Sequence, residues 1–371
     1  MAASTFTSKL MPTKEEMDGL GIPSSEQASY AHIAYQAAFG LDTWMNIPEL
    51  TPHTFATKIV PLTPHQGRAL QTLYLADYSR SKPSLRMPRE EAEEVVGGIA
   101  EALDAVLGGE EFQLGAFVKL ATRSPKDVVV YHPEVGSTME HVERVVEALY
   151  ARKAEEGGKV TLNDEIAAFV AGSGRGLCVF SGAEAVALLS ASTRVFEDIN
   201  RLLAYGDASF PLALQVRVWD DVVVDRPEYE FRGFVSGGNL NALTQYFTFL
   251  ASDELIENKD KVEAIILEFF AGVSPHIPHE SYVIDFVLMP DNSVKIVELG
   301  TFRTTTGAGL FSWKQDRERF LNGPFEFRIV EAPWDDPIDI LPKYWREYLA
   351  DKRALHNPNP TSNTEGGCTV S

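Results

Sequence analysis

Residues 282–302 read YVIDFVLMPDNSVKIVELGTF, two β-rich runs flanking Pro290-Asp291-Asn292-Ser293. Proline, aspartate and asparagine together signal a turn. With Asp291-Asn292 as a two-residue hairpin turn, Met289 faces Val294, Val287 faces Ile296, and Asp285 faces Glu298. Directly opposed side chains stand roughly 4.5–5.5 Å apart at Cβ, and opposed like charges destabilise a sheet. A divalent cation such as Mg²⁺, which takes oxygen ligands, would resolve the repulsion. So would an arginine partner, or a register slip that sends one carboxylate to the other face.

Cationic residues that could meet an anion lie elsewhere. Lys119 sits in the apolar run AFVKL, where an ammonium is costly unless it is paired. Arg123, Ser124 and Lys126 follow on a turn around Pro125, and phosphate oxygens would satisfy all of them. A solvated basic corner is the competing reading. Arg217 lies within LQVRVW and needs an anionic partner if buried. In EYEFRGFVSGGNLNALTQY, a turn at Gly237-Gly238 places Arg232 opposite Leu243, with Glu230, Arg232 and Gln245 on one face. Cations from several elements plus a carboxylate pair are what a nucleoside triphosphate with Mg²⁺ requires. AGSGRG at 171–176 matches neither glycine fingerprint and reads as a linker, and there is no Walker or kinase signature. The histidines lack zinc spacing, and no Ser/His/Asp or Cys/His nucleophile pattern is present.

The elements that must position these groups read as a mixture of helices and hairpins without regular βαβ alternation. That is an α+β class, with antiparallel sheets carrying helices. A helix is expected from Ser24 to Gly40, and a strand in TFATKIVPL. Thr63, Pro64 and Gln66 form a capping box with proline at the first helical position. A helix follows up to Gly108. FQLGAFVKLATRSPKDVVVY reads as strand, basic loop, strand, then two charged helices to about residue 172. GAEAVALLSASTRVFEDINRLLAYG reads as one long helix. FPLALQVRVWDDVVV reads as a strand buried on both faces. The expected layout is a flexible stretch 1–22, a helical and strand region 23–111, a first lobe 112–213 and a second lobe 214–350 carrying the metal site. A tail too polar to fold occupies 357–371.

Of 371 residues, 33 are Lys or Arg and 53 are Asp or Glu, a net charge of −20. Such a chain is a poor partner for nucleic acid, whose phosphates must be neutralised. Two cysteines, Cys178 and Cys368, make no disulfide framework, and a reducing, cytoplasmic setting fits. The polar N-terminus has no signal-peptide core, and no apolar run reaches spanning length. Cys368-Thr369-Val370-Ser371 matches the prenylation pattern, with terminal serine favouring farnesyl. With no polybasic stretch upstream, one lipid would give weak, reversible membrane association.

FVKLATRSPKD, VRVW, EYEFRGFV, NLNALTQY, YVIDF, VKIVELGTF and GAGLFSW occur in this order. Together they resemble the cell division cycle protein 123 family, an ATP-grasp group, over roughly residues 112–130 and 180–315. The resemblance implies two α+β lobes with antiparallel sheets clamping ATP. Lys119 with Arg123, Ser124 and Lys126 would meet phosphates, and the strand with Val216 and Trp219 would line the adenine. Arg217 and Arg232 would complete the anionic site, and Asp285 and Glu298 would hold Mg²⁺. It also implies a chaperone that assembles translation initiation factor 2 through its gamma subunit. Alternatives are a carboxylate–amine ligase acting on a small molecule or peptide, with Arg232 and Lys126 catalytic, or a nucleotide-binding fold without chemistry. Two features depart from the family. Gly300 stands where the family has an asparagine ligand, leaving Thr301 or water as substitutes. The N-terminal aromatic-cysteine signature is missing, and about 45 residues near 131–175 read as an insertion.

Overall fold

The computed structural model describes residues 12–79, 84–206, 210–334, 341 and 343–356. Cys368 and the tail 357–371 lie outside the described residues, as do residues 1–11. No described helix is long and apolar enough to cross a membrane.

The described strands are β1 Thr57–Leu62, β2 Ala116–Leu120, β3 Cys178–Val179, β4 Leu212–Val218, β5 Glu230–Ser236, β6 Asn239–Gln245, β7 Tyr282–Leu288, β8 Val294–Thr301 and β9 Glu326–Arg328. They form two sheets. The first has the order β1-β4-β2-β3 and is antiparallel throughout. The second has the order β8-β7-β5-β6-β9, antiparallel except for the edge pair β6 and β9. The fold is α+β.

Alternation along the strands gives each sheet two chemically different faces. In the first sheet Val118, Leu120, Leu214 and Val216 join the core formed with Leu70, Ile99, Leu103 and Leu189. These come from helices Pro64–Asp77, Arg89–Leu107 and Gly182–Ala191. The other face carries Lys119, Gln215 and Arg217, brought together by the β2–β4 register. In the second sheet Phe231, Leu243, Ile284, Phe286 and Ile296 pack on Ile266 and Phe270 of helix Lys259–Val273. Glu230, Arg232, Asp285 and Glu298 occupy the opposite face. The two polar faces meet, tied across the cleft by Lys119 to Glu298 at 3.0 Å and by Arg217 to the Val297 carbonyl at 2.9 Å.

Several local expectations hold. Thr63 and Gln66 make the reciprocal capping box, and Arg89–Leu107 ends at Gly108. The β5–β6 turn uses Gly237 and Gly238 at positive φ. Others need correction. The boundary expected at 213/214 falls inside β4, which belongs to the first sheet. DVVVY forms no strand. Val128–Tyr131 is a short helix with Val128 and Val129 buried, because packing overrides β propensity. The long helix is two, Gly182–Ala191 and Thr193–Leu202. Ser192 takes an extended ψ between them and caps the second through Val195 N–H. AGSGRG is no linker, since it lies almost wholly in helix Leu162–Arg175. There Gly172 lets helix Thr138–Glu155 approach so closely that a Cβ would stand 2.5 Å from the Val142 Cα.

Candidate functional site

The β7–β8 loop has three residues rather than two. Met289 N–H donates to the Ser293 carbonyl at 2.8 Å, and Asn292 supplies the positive φ of 63°. Leu288 therefore opposes Val294 and Phe286 opposes Ile296, one residue off the simple count. A bulge at Val297 then restores the phase, and Asp285 does oppose Glu298. The repulsion between them is answered by cations. Arg232, opposite Asp285 on β5, donates from Nε and Nη2 to both Asp285 oxygens at 2.8 Å each. Lys119 Nζ donates to Glu298 Oε1. Among the described residues no group of three or more His, Cys, Asp or Glu is gathered as for a metal.

β6 also carries a bulge, at Asn241, so Arg232 opposes Thr244 and not Leu243. Gln245 consequently turns to the far face, where it binds the Leu250 carbonyl and Val330 N–H. Tyr246 takes its place beside Glu230 and Arg232. The Lys126 ammonium lies 5.1 Å, and the Arg232 guanidinium 4.8 Å, from the Tyr246 ring centre.

Beside these groups is a cavity of about 370 Å³ with largely apolar walls, including Phe117, Val129, Phe169, Leu177, Trp219 and Phe247. Lys126, Arg217 and Glu230 also line it. A shallow depression of about 770 Å³ near Gly238 and Pro324 is bordered by no charged side chain, so the chemistry points to the apolar slot.

Burial and charge oppose each other throughout this cluster. Burial pushes the Glu298 carboxyl up, but Lys119, then Lys126 and Arg217, outweigh it and hold it at about 2. Burial lowers the Lys119 ammonium despite Glu298. Arg217 is lowered to about 10 by burial, opposed by Glu298 and Glu230, and stays charged at neutral pH. Lys126 is raised by Tyr246, against burial, with Glu230, Glu298 and Asp285 adding to the shift. Glu230 is raised by burial, with Lys126 opposing.

The sequence-singled residues separate in space. Lys119, Lys126, Arg217, Trp219, Arg232, Asp285 and Glu298 converge on the cleft and its slot. Arg123 instead pairs with the buried Asp198 at 3.2 Å. The Val216 side chain points into the first core, away from Arg217. Ser124 is buried, its hydroxyl without a protein partner. Sequence reasoning missed Phe55, Tyr246, Phe247 and the slot wall from helix Leu162–Arg175. The aromatic run QYFTF, directly after β6, was the available signal.

The D123 family model matches residues 166–338. Over that span the chain is similar to the D123 family. The matched span holds β3 to β9, so Asp285, Glu298, Arg217 and Arg232 fall inside it and Lys119, on β2, outside. Cdc123 from Schizosaccharomyces pombe is similar in structure, with a TM-score of 0.51 and 20% identity over 80% of this chain and 96% of that one. Its C-terminally truncated form gives the same values. At that identity the likeness speaks for a shared fold.

The ATP and Mg²⁺ implied by the family meet unequal fits. An apolar slot flanked by cations, with Arg217 Nε and Ser173 Oγ on its lining residues buried and unpartnered, suits a nucleotide. For Mg²⁺ the two carboxylates are of the right chemistry. Each already serves a cation, and Gly300 offers no side-chain oxygen.

Proposed function

We propose that this chain is a Cdc123-family protein and binds ATP in the slot between its two sheets. The observation that carries the reading is the meeting of an apolar slot of about 370 Å³ with Lys126 and Arg217, in a chain of net charge −20. The base lies among Trp219, Phe117 and Phe169, and the phosphates meet Lys119, Lys126 and Arg217, with Arg232 behind them. Mg²⁺, when bound, neutralises phosphate charge. Asp285 and Glu298 are the residues to hold it, and both must then share or release Arg232 and Lys119. Cation and carboxylate are thus pre-paired without ligand, which keeps the desolvated charges from standing alone.

The match to the D123 family supports the role of an ATP-dependent assembly chaperone for a protein partner, the translation initiation factor 2 gamma subunit being the expected one. Titration calorimetry with ATP, with and without Mg²⁺, tests the nucleotide reading, and Lys126→Ala is expected to weaken binding. Absence of heat and of thermal stabilisation at millimolar ATP would sink it. Purified gamma subunit retained by the protein supports the chaperone role. ADP or AMP release dependent on an added acid and amine would favour a ligase instead.

A further inference from the structure

One wall of the slot belongs to neither sheet. Phe169, Val170, Ser173 and Gly174 of helix Leu162–Arg175 line it together with Arg217 of the first sheet and Glu230 of the second. This helix and helix Thr138–Glu155 form a hairpin within the stretch that reads as an insertion. Helix Lys343–His356 rides on the hairpin. The Trp345 and Phe169 ring centres are 5.0 Å apart, Arg353 lies 3.1 Å from the buried Glu165 carboxylate, and Lys352 pairs with Glu147. The three helices share an apolar core of their own, built around Val142, Val146, Ile166, Phe169, Trp345 and Leu349. Of the buried side chains in it, only Leu250 and Leu341 come from elsewhere.

The hairpin enters and leaves the body of the protein at one point. Gly136 has a φ of 66°, and a Cβ on it would lie 3.7 Å from the Gly176 carbonyl oxygen. A Cβ on Gly176 would in turn overlap Thr138. Two crossings placed together, one at a glycine of positive φ, make a pivot. Arg175, beside the pivot, pairs with Asp221 at 2.7 Å and Asp225 at 2.6 Å. At the far end of the helix the Asn163 amide donates to the Ala251 carbonyl and accepts from Ala251 N–H, at 2.9 Å each. The closed packing leaves donors idle. The Ser173 hydroxyl, the Trp345 indole N–H and the Tyr348 hydroxyl are buried without a protein partner. Water would meet them on opening, so the closed arrangement carries a cost that opening relieves.

We propose that the hairpin 138–175, with helix Lys343–His356 on its back, is a lid that swings about Gly136 and Gly176 and admits ligand to the slot when the Asn163 latch releases. The inference rests on the slot being a ligand site and adds what controls entry to it. A bundle with its own core moves as a unit, because the contacts broken on opening are few beside those it keeps.

Hydrogen exchange in the ligand-free protein tests the motion. Entry of anilinonaphthalene sulfonate, an apolar fluorescent dye, tests access without nucleotide. Amides of 166–173 are expected to exchange at least about ten-fold faster than those of β4 and β7. Asn163→Ala removes both latch bonds and lies outside the slot lining. It is expected to speed lid exchange and dye entry about ten-fold, with β4 and β7 unchanged. Ser173→Trp fills the slot from its wall and is expected to exclude the dye, which places the dye there. The proposal is overturned if 166–173 exchange no faster than the sheets, or if Asn163→Ala speeds lid and sheets alike, as a purely structural bond would. It is equally overturned if Asn163→Ala leaves dye entry unchanged, or if the dye still binds Ser173→Trp. Lid exchange and dye entry as expected, with no binding of ATP, would uphold the lid and sink the nucleotide reading alone.

Discussion

Lys119 Nζ on β2 and Glu298 Oε1 on β8 stand 3.0 Å apart, a buried ammonium of one sheet against a carboxylate of the other. The pair spans the cleft proposed for ATP, so the same two groups that close the ligand-free site must exchange partners when phosphate and Mg²⁺ enter. Lys119 is 5% exposed and Glu298 46%, so the lysine is fixed and the carboxylate faces the space.

The acid limb of stability should report this pair. A carboxyl held at about 2 when folded, below its ordinary 4.5, adds stability that is fully present above 4.5 and is lost as pH falls towards 2. Glu298→Gln is expected to flatten the loss of stability across that window. Acid unfolding of the two proteins, followed by circular dichroism, checks it. Equal slopes would mean that the pair contributes nothing.

Removing one partner from the buried Arg232–Asp285 pair has a different outcome. Arg232 and Asp285 are 17% and 7% exposed, and bidentate. Asp285→Asn leaves a guanidinium largely out of water without its counter-charge, a loss of about 3–5 kcal/mol in comparable cases. The variant is expected to unfold at lower denaturant without any metal, and to bind ATP with less dependence on Mg²⁺. Like-charge repulsion alone, without an arginine partner, would make this substitution harmless.

How much of this was legible turns on bulges. Period-two alternation and the Gly-Gly and Pro-Asp-Asn turns located β5 to β8, and the capping box located a helix start. Asp285 opposite Glu298 was reached by a count in which the longer loop and the Val297 bulge cancelled. On β6 one bulge stood uncancelled, and the count chose Gln245 where Tyr246 belongs. Bulges leave no reliable mark in a single sequence, and they re-aim side chains next to sites. Arg123 turns from the slot to an ion pair for another reason. Its partner Asp198 is 75 residues away, and nothing local distinguishes a phosphate ligand from a structural ion pair.

Gly300 offers a gain-of-function test. A Cβ there would lie 3.9 Å from the Val283 Cβ, ordinary contact, and the glycine is not at positive φ. Two residues beyond Glu298 on β8, its side chain would stand on the same face. Gly300→Asn is therefore expected to fold normally and to add an oxygen donor beside Asp285 and Glu298. A several-fold lower Mg²⁺ requirement for ATP binding is expected by titration. An unchanged requirement would show that Mg²⁺ does not sit there.

Ser173 allows the slot itself to be tested without touching a charge. It is 6% exposed, lines the slot from helix Leu162–Arg175, and its hydroxyl has no partner in the protein. A buried, unbonded hydroxyl carries its desolvation cost, so Ser173→Ala is expected to be neutral or slightly stabilising in the ligand-free protein. If the hydroxyl bonds to the base of a bound nucleotide, the same change costs about 0.5–1.5 kcal/mol of affinity, a factor of about two to ten in Kd. Thermal unfolding and ATP titration of one variant thus move in opposite directions. Equal ATP affinity in both proteins would show that the base does not reach this part of the wall. A parallel loss of stability would mean that Ser173 has a partner within the fold.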